Sequence, residues 1–543
     1  MTVCAAKPLR STLILLAFLA ALALAACGGE DGPAGSDGPN PATLTPPEAP
    51  IYFEAAVQPE GDLRENVDSV LGKLLDTGDP GAEITSALEG AIDSDPDYAD
   101  FSFGEDIDPW LGQTAGGFIT EFSGQEGEGA LLVAITDADA ATEATRNLIS
   151  ASSGEEEPEL TERTYEGTTY QLDPEDGGAY GIVDDFLVVG TEQGLKDAVD
   201  AAAGESLAGN GEATEELDSV REASIIAALF DVPSLIDLLE SSGELPPDGR
   251  EQLEAQLGDL ASGQIALSAG VETDALTFDY ISPAAEGASE PPETLTELSA
   301  DAWLAFAAAD VGEMINQNIE GIDAQLRSQS GEAGIDSGVD LQQMLDRIDL
   351  DLERDLGWIG DTSLFVEGTS LFDLGGGVRI EATDTDDAAG ALDKLRELID
   401  DESSVQTEDL QGGEGFRIGV EGVPAQAEVE LRDGQVAVAV GSVDVDAVLD
   451  PAEPLGDSPE FQSAREKLGE DLVPSLYLDF KTVTSLLEST GQSDPQLQQV
   501  IDVLGALDLL VAGSTVDSGK ARGSAVLGVR EPPASGEPAV IVP

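Results

Sequence analysis

The sequence predicts an α+β fold made of two tandem homologous halves, each a largely antiparallel sheet with helices packed on one face. Three observations lead to this prediction. Five segments of the first half return in the same order in the second half. Within each half, short apolar segments alternate with amphipathic ones, and a hairpin signal joins two apolar segments. This mixture is typical of α+β architectures.

The internal repeat organises most of the chain. WLGQT at 110–114 matches WIGDT at 358–362, and LLESSG at 238–243 matches LLESTG at 486–491, each pair being offset by 248 residues. Three further pairs keep the order: 134–149 with 381–399, 184–191 with 432–442, and 51–57 with 302–308. Five pairs in one order indicate a duplication.

Both halves predict the same series of elements. A strand and an amphipathic helix come first, at 51–57 and 63–75 and again at 302–308 and 311–326. Two strands then follow a W-[LI]-G turn. The DGQ sequence at 433–435 predicts a hairpin turn, and a strand–helix pair and two closing strands complete each half. The helix before the hairpin has one apolar face, with three- and four-residue spacing of Ala388, Leu392, Leu395 and Ile399.

Composition divides the chain further. We expect a lipoprotein signal peptide at 1–26, a lipidated cysteine with a flexible tether at 27–50, α+β repeats at 51–285 and 294–530, and a disordered tail at 531–543. The tether is rich in Gly, Pro, Ser and acidic residues, which leaves little apolar surface to bury.

The N-terminus has the pattern of an export signal. Lys7 and Arg10 precede an apolar run at 13–26, which is about fourteen residues long. A membrane-spanning helix needs roughly 20 such residues, so the run is better explained as a signal peptide. Residues 23–25 also fit an ordinary secretory cleavage site, and that alternative stays open.

The sequence Leu24-Ala25-Ala26-Cys27 resembles the lipobox of bacterial lipoproteins. The resemblance implies cleavage before Cys27 and attachment of a diacylglyceryl group to its sulfur. Two acyl chains give stable membrane anchoring, so we expect the protein on the extracytoplasmic face of the cell membrane. Cys4 would be removed, and the mature chain would contain neither a free thiol nor a disulfide.

The chain is strongly acidic, with 110 Asp and Glu against 23 Lys and Arg and a formal net charge of −87. This charge opposes nucleic acids and anionic lipid surfaces as partners. Salt adaptation and a compositional bias of the genome both explain the acidity, and the sequence does not separate them.

Most catalytic chemistries are excluded. The chain has no histidine, which removes Ser-His-Asp and Cys-His catalysis and ordinary zinc sites. No phosphate-binding loop is present, and the glycine-rich segment at 374–379 is interpreted as a turn. We therefore expect no cofactor. A pair of carboxylates could still catalyse glycoside hydrolysis, but so many acids make chance pairs unavoidable.

Two acidic segments, 136–141 and 383–389, occupy equivalent places in the two halves. Both come where a helix should begin, so capping of the helix N-terminus explains them without a metal. Calcium binding is the alternative, since hard cations take oxygen ligands. The weak calcium candidates are Asp137, Asp139, Asp384 and Asp386.

Two tryptophans, Trp110 and Trp358, stand at equivalent positions of the repeat beside Gly112 and Gly360. We expect them to anchor the turn, although a role in stacking against a carbohydrate or a partner is the alternative.

Taken together, the lipobox and the duplicated body over roughly 50–530 resemble the uncharacterised lipoproteins of high-GC Gram-positive bacteria grouped as domain of unknown function 3352. The resemblance implies an exported, membrane-attached protein without an assigned activity. It provides no catalytic residues.

We therefore expect a non-enzymatic, monomeric, lipid-anchored protein that serves in binding or envelope scaffolding. A carrier or sensor of an apolar ligand such as lipid is the first alternative, which an apolar cavity open on one sheet face would favour. A carboxylate-based hydrolase is the second, and it would need two facing acids with raised pKa in a deep cleft.

Overall fold

The computed structural model describes residues 38–530, with gaps at 94–97, 99–100, 124–125, 154–158, 175–176, 221–223, 244, 247–248, 286–287, 316–354, 371, 401–404, 411–413, 421–425 and 490–494. The chain separates into two compact units. The first comprises Met1–Glu286, Ser518–Arg522 and Val529–Pro543, and the second comprises Gly287–Asp517 and Gly523–Gly528.

The first unit contains an antiparallel sheet. Its ten described strands are β1 (Ile51–Ala56), β2 (Leu111–Ser123), β3 (Glu126–Ile135), β4 (Thr161–Tyr165), β5 (Thr168–Leu172), β6 (Gly178–Val183), β7 (Phe186–Thr191), β8 (Ser224–Asp231), β9 (Gln264–Glu272) and β10 (Ala275–Pro283). Their order across the sheet is β10–β9–β8–β1–β2–β3–β7–β6–β5–β4. Its described helices are α1 (Gly61–Leu74), α2 (Pro80–Asp93), α3 (Ala138–Ser153), α4 (Glu192–Ala203), α5 (Gly211–Val220), α6 (Val232–Ser241) and α7 (Gly249–Leu257).

The second unit is also α+β. Its strands are β11 (Ala302–Ala308), β12 (Ile359–Glu367), β13 (Gly375–Ala382), β14 (Val405–Asp409), β15 (Glu414–Val420), β16 (Gln426–Arg432), β17 (Gln435–Gly441), β18 (Val473–Asp479), β19 (Leu507–Asp517) and the 523–528 part of β20 (Lys520–Val529). Their order is β20–β19–β18–β11–β12–β13–β17–β16–β15–β14. Counted from the first strand of each unit, the two orders are the same. The helices that lie within its described residues include α8 (Thr385–Asp400), α9 (Val445–Leu449), α10 (Pro459–Leu468), α11 (Phe480–Ser489) and α12 (Pro495–Gly505).

Several predicted elements are confirmed. β1 starts at Ile51, and β11 covers 302–308. Asp433 and Gly434 have φ values of 52° and 83°, as a two-residue hairpin turn requires. In α8, Ala388 and Leu392 are buried against the sheet. Beyond residue 315, the helix predicted at 311–326 lies outside the described residues.

The prediction of helices on one face only is wrong. Successive residues of a strand point to opposite faces, so Leu132 and Val133 of β3 report on the two sides. Leu132 packs in a cluster with Leu195 and Ala198 of α4, whereas Val133 packs in another with Ala141 of α3. β3 is a continuous apolar run at this point, which is the pattern of a strand covered on both faces.

The prediction of a tether at 27–50 is wrong for its last thirteen residues. Pro41–Leu44 forms a 3-10 helix, and Ala42 and Leu44 are fully buried in the core of the first unit. The Asn40 side chain accepts a hydrogen bond from the Ala42 amide at 2.9 Å and begins this helix. Burial of these side chains holds the segment in place, so the folded body begins by residue 38.

Candidate functional site

The predicted lipidation site cannot be located in the structure. Cys27 and the lipobox residues Leu24, Ala25 and Ala26 lie outside the described residues, as do the signal peptide and the tail. Anchoring at Cys27 therefore stays a prediction. In the part of the chain that is described, helices of the length and hydrophobicity that crossing a membrane requires are absent.

The four weak calcium candidates lie at helix starts. The Asp137 carboxylate accepts hydrogen bonds from the amides of Asp139 and Ala140, at 3.0 and 3.1 Å. Asp384 does the same for Asp386 and Asp387, at 2.9 and 3.1 Å. Both aspartates are thus N-caps of α3 and α8. No cluster of three or more acidic or cysteine side chains suited to a metal occurs among the described residues.

Trp110 and Trp358 anchor the chain before β2 and β12. Both are buried, and their indole N–H groups donate to the carbonyls of Asp106 at 2.6 Å and Asp355 at 2.7 Å. The matched geometry supports the anchoring interpretation. The third tryptophan, Trp303, has a buried indole N–H without a hydrogen-bond partner.

A polar groove of about 550 Å³ lies in the second unit, among residues that include Arg379, Glu297, Asp450 and Arg465. The Arg379 guanidinium is paired with Glu297 at 2.8 Å. When the Gln435 amide is oriented with its oxygen toward Arg379, that oxygen accepts a hydrogen bond from the guanidinium at 2.8 Å. Both partners hold the Arg379 guanidinium at the wall of the groove.

The feature that calls for a function is an apolar stripe on the sheet of the first unit, defined as Ile226, Leu267, Phe278 and Tyr280. These side chains are 39%, 42%, 48% and 38% exposed. The strand register places Ile226 and Phe278 on either side of Ala269, and Tyr280 opposite Leu267. All four side chains point to the same face of the sheet, so they form one continuous surface.

At two places the strands that carry the stripe bury a polar residue next to an exposed apolar one. In β9, Ser268 is 7% exposed. Its neighbours Leu267 and Ala269 lie on the other face of the sheet, and Leu267 is exposed there. In β10, Thr277 is 9% exposed, next to the exposed Phe278. An amphipathic strand normally turns its apolar side to the core and its polar side to water. At Ser268 and Thr277 the reverse holds, since the polar residue is buried and the apolar neighbours Leu267 and Phe278 are exposed. This leaves apolar surface available for a partner.

Helix α5 covers the side of these strands opposite the stripe. Leu217 and Val220 of α5 pack with Ala266 and Ile281 in one apolar cluster. Glu216, on the same helix, is 4% exposed and pairs with Lys520 at 3.1 Å. One carboxylate oxygen of Glu216 is buried without a hydrogen-bond partner. Burial raises the pKa of Glu216, and the pair with Lys520 lowers it in part.

The carboxyl groups give little support to hydrolysis. Burial raises the pKa of Glu216, and this carboxyl lies under α5 rather than in the groove of the second unit. A glycosidase places two carboxyls across a substrate cleft, with the pKa of one raised.

The stripe was missed by sequence reasoning, although β10 holds a signal. Residues 276, 278 and 280 are apolar and alternate with Thr277 and Asp279. Alternation alone predicts that Phe278 and Tyr280 face the core. The apolar positions of α5, Leu217 and Val220 above all, need an apolar partner, and Ala266 and Ile281 on the other side of β9 and β10 provide it.

Fold and site together define an α+β protein with two units of one strand order and an exposed apolar surface on the first. The chain belongs to the family described as "Protein of unknown function (DUF3352)", which matches residues 84–523. No curated protein matches it.

Solved structures of TP0453 are similar to parts of the chain. Crystal form III is 12% identical, covers 46% of this chain and 82% of its own, and has a TM-score of 0.24. Crystal form IV is 13% identical, with coverages of 45% and 80% and the same TM-score.

Proposed function

We propose that the protein is a non-catalytic binding protein, anchored by lipid at Cys27 to the extracytoplasmic face of the cell membrane, and that the apolar stripe is its binding surface. The single observation that carries the proposal is the exposure of Leu267 and Phe278 beside the buried Ser268 and Thr277. Phe278 is 48% exposed while its neighbour Thr277 is 9% exposed. Exposed apolar surface is unfavourable in water, and an apolar partner would remove that cost.

The proposal includes an origin by duplication. The five repeated segments and the common strand order of the two units support it. A further sequence match, before β1 and β11, also supports the duplication. PATLT at 41–45 corresponds to PETLT at 292–296, and Leu44 and Leu295 are both fully buried. Each unit would then start with a short 3-10 helix, Pro41–Leu44 or Glu293–Glu297.

Photo-crosslinking in the native cell tests the binding surface. A photoreactive phenylalanine analogue replaces Leu267 or Phe278 in the full chain, and the control replaces Glu212, which is exposed on α5 on the opposite face. We expect adducts of defined, reproducible mass from the two stripe positions and none from position 212. Equal yields at all three positions, or no adduct at the stripe, would reject the stripe as the binding surface.

A further inference from the structure

The polar groove of the second unit lies where the first unit has apolar core. Leu132 of β3 and Arg379 of β13 hold corresponding positions, since each lies four residues before a threonine whose amide donates to the carbonyl of the anchoring tryptophan. Leu132 is fully buried in one cluster with Leu44, Leu195 and Ala198. Arg379 instead lines the groove. A guanidinium therefore stands in the place of a core side chain.

A shorter helix opens the groove. The side chains of Thr191 and Asp444 each cap a helix, α4 and α9, by accepting from the amide three residues further on, so the two helices begin alike. Seven residues after each cap come Ala198 and Pro451. α4 has twelve residues and α9 has five, because a proline cannot donate the next hydrogen bond of a helix. The helical turns that cover β3 are therefore missing over β13.

Backbone hydrogen bonds fix one wall of the groove. The Leu455 amide donates to the Leu298 carbonyl at 2.6 Å. This bond holds the 3-10 helix Glu293–Glu297 beside the one at Leu455–Asp457, and residues of both line the groove. A site that exists before its ligand arrives loses less entropy on binding.

The Arg379 guanidinium keeps capacity for a further acceptor. Glu297 accepts from Nη1 at 2.8 Å, and the Gln435 oxygen, oriented toward the guanidinium, accepts from Nε at 3.3 Å and from Nη2 at 2.8 Å. Arginine has five N–H groups, so one hydrogen on each terminal nitrogen is left for a ligand. The side chain is 13% exposed, and its partners hold it in one orientation. A fixed, planar guanidinium suits a carboxylate.

The other charged side chains of the groove are Arg465, Asp450 and Asp457. All three are exposed, and none forms an ion pair within the part of the chain that the structure describes. With Glu297 paired to Arg379, one positive and two negative charges face a ligand. The complement is a molecule with one anionic and two cationic groups, and a chain of formal charge −87 also attracts its net positive charge.

We propose that the groove binds a short peptide that has a free carboxylate, a free amino terminus and one basic side chain. The carboxylate contacts Arg379 and Arg465, and the two ammonium groups contact Asp450 and Asp457. The groove volume of about 550 Å³ lies within the range of small-ligand pockets, roughly 300–1,000 Å³. This site is additional to the proposed function, because it lies in the second unit and uses no residue of the stripe.

Isothermal titration calorimetry of the mature protein in mild detergent tests the site with L-alanyl-L-lysine. The comparison ligand is L-alanyl-L-lysine amide, which lacks the carboxylate and carries one more positive charge. We expect the amide to bind about tenfold more weakly, because it cannot pair with the two arginines. Attraction to the acidic surface alone predicts the reverse order. An amide that binds equally or more tightly, or an unmodified dipeptide that does not bind, would overturn the proposal.

Two variants locate the binding. Arg379→Leu introduces the residue that the first unit has at this position, and Arg465→Gln changes an exposed residue of α10, where folding is not at risk. Each should weaken the binding of L-alanyl-L-lysine about tenfold. The matched control is Arg396→Gln on α8, where Arg396 pairs with Asp409 at 2.7 Å outside the groove. It should bind as the wild type does. Unchanged binding by Arg465→Gln, or an equal loss in the control, would overturn the assignment to the groove.

Discussion

At Glu216, burial and ion pairing act in opposite directions on one carboxyl. Burial raises its pKa above the ordinary 4.5, and Lys520 lowers it. Burial is the larger effect, so the folded state binds the proton more tightly than the unfolded state does. Between pH 4.5 and the raised pKa, the folded state holds more protons, and the free energy of unfolding contributed by this group falls as the pH rises.

Glu216→Gln removes that dependence. We expect the free energy of unfolding of the variant, relative to the wild type, to increase as the pH rises from 4.5 to 7. Urea denaturation at several pH values measures it. A relative stability that falls with pH would mean that the pair with Lys520 outweighs burial.

The three tryptophans offer a second comparison at this scale. Trp110→Phe and Trp358→Phe each leave a carbonyl without its indole donor, which costs about 1 kcal/mol or more. Trp303→Phe removes a buried N–H that has no hydrogen-bond partner, so the same change should be closer to neutral. Chemical denaturation compares the three. Equal losses would show that volume, not the hydrogen bond, accounts for the anchoring.

Among the elements, the 3-10 helix before β1 differs most from its prediction, which was a flexible tether. Leu44→Ala should lower the free energy of unfolding by about 2–5 kcal/mol, because Leu44 is fully buried. Leu75→Ala, at a residue that is 49% exposed, should change it by less than about 0.5 kcal/mol. Denaturant titration measures both. A silent Leu44→Ala would restore a tether that extends to residue 50.

Element prediction succeeded where local patterns agree with the final packing. The strands at 51–57 and 302–308 and the 433–435 turn follow from apolar runs and turn residues. The β4–β5 hairpin was missed because β4, TERTY, is short, mostly exposed and at the edge of the sheet. Its one signal was the Glu166-Gly167 turn, where both residues have positive φ.

The glycine-rich segment at 374–379 was interpreted as a turn that enters a strand at Gly377. The strand is present as β13, but it begins two residues earlier, at Gly375. A Cβ at Gly377 would lie 2.8 Å from the Phe365 ring, so the glycine makes room for a core aromatic from the neighbouring strand. Tertiary contacts also decide which residues of β9 and β10 are exposed. Alternation predicts which residues share a face but not which face is buried.

For the whole molecule, the acidity and the proposed anchor act together. A charge of −87 keeps the body away from anionic surfaces, so attachment would depend on lipid at Cys27. Cys27→Ser should move the protein from the membrane fraction to the soluble fraction, or leave an uncleaved precursor, while the body still folds. Cell fractionation with immunoblotting measures this. A processed chain that stays membrane-bound in the variant would contradict the anchor.

The most direct test of the central claim, that the stripe is a binding surface for an apolar ligand, is native mass spectrometry of the mature protein purified from its own cells in mild conditions. The account predicts a retained apolar small molecule of defined mass in the wild type and its loss in Phe278→Asp. Val503→Asp, at an apolar residue of α12 that is 64% exposed, is the control and should retain it. A ligand-free wild type, or a ligand that Phe278→Asp retains, would contradict it.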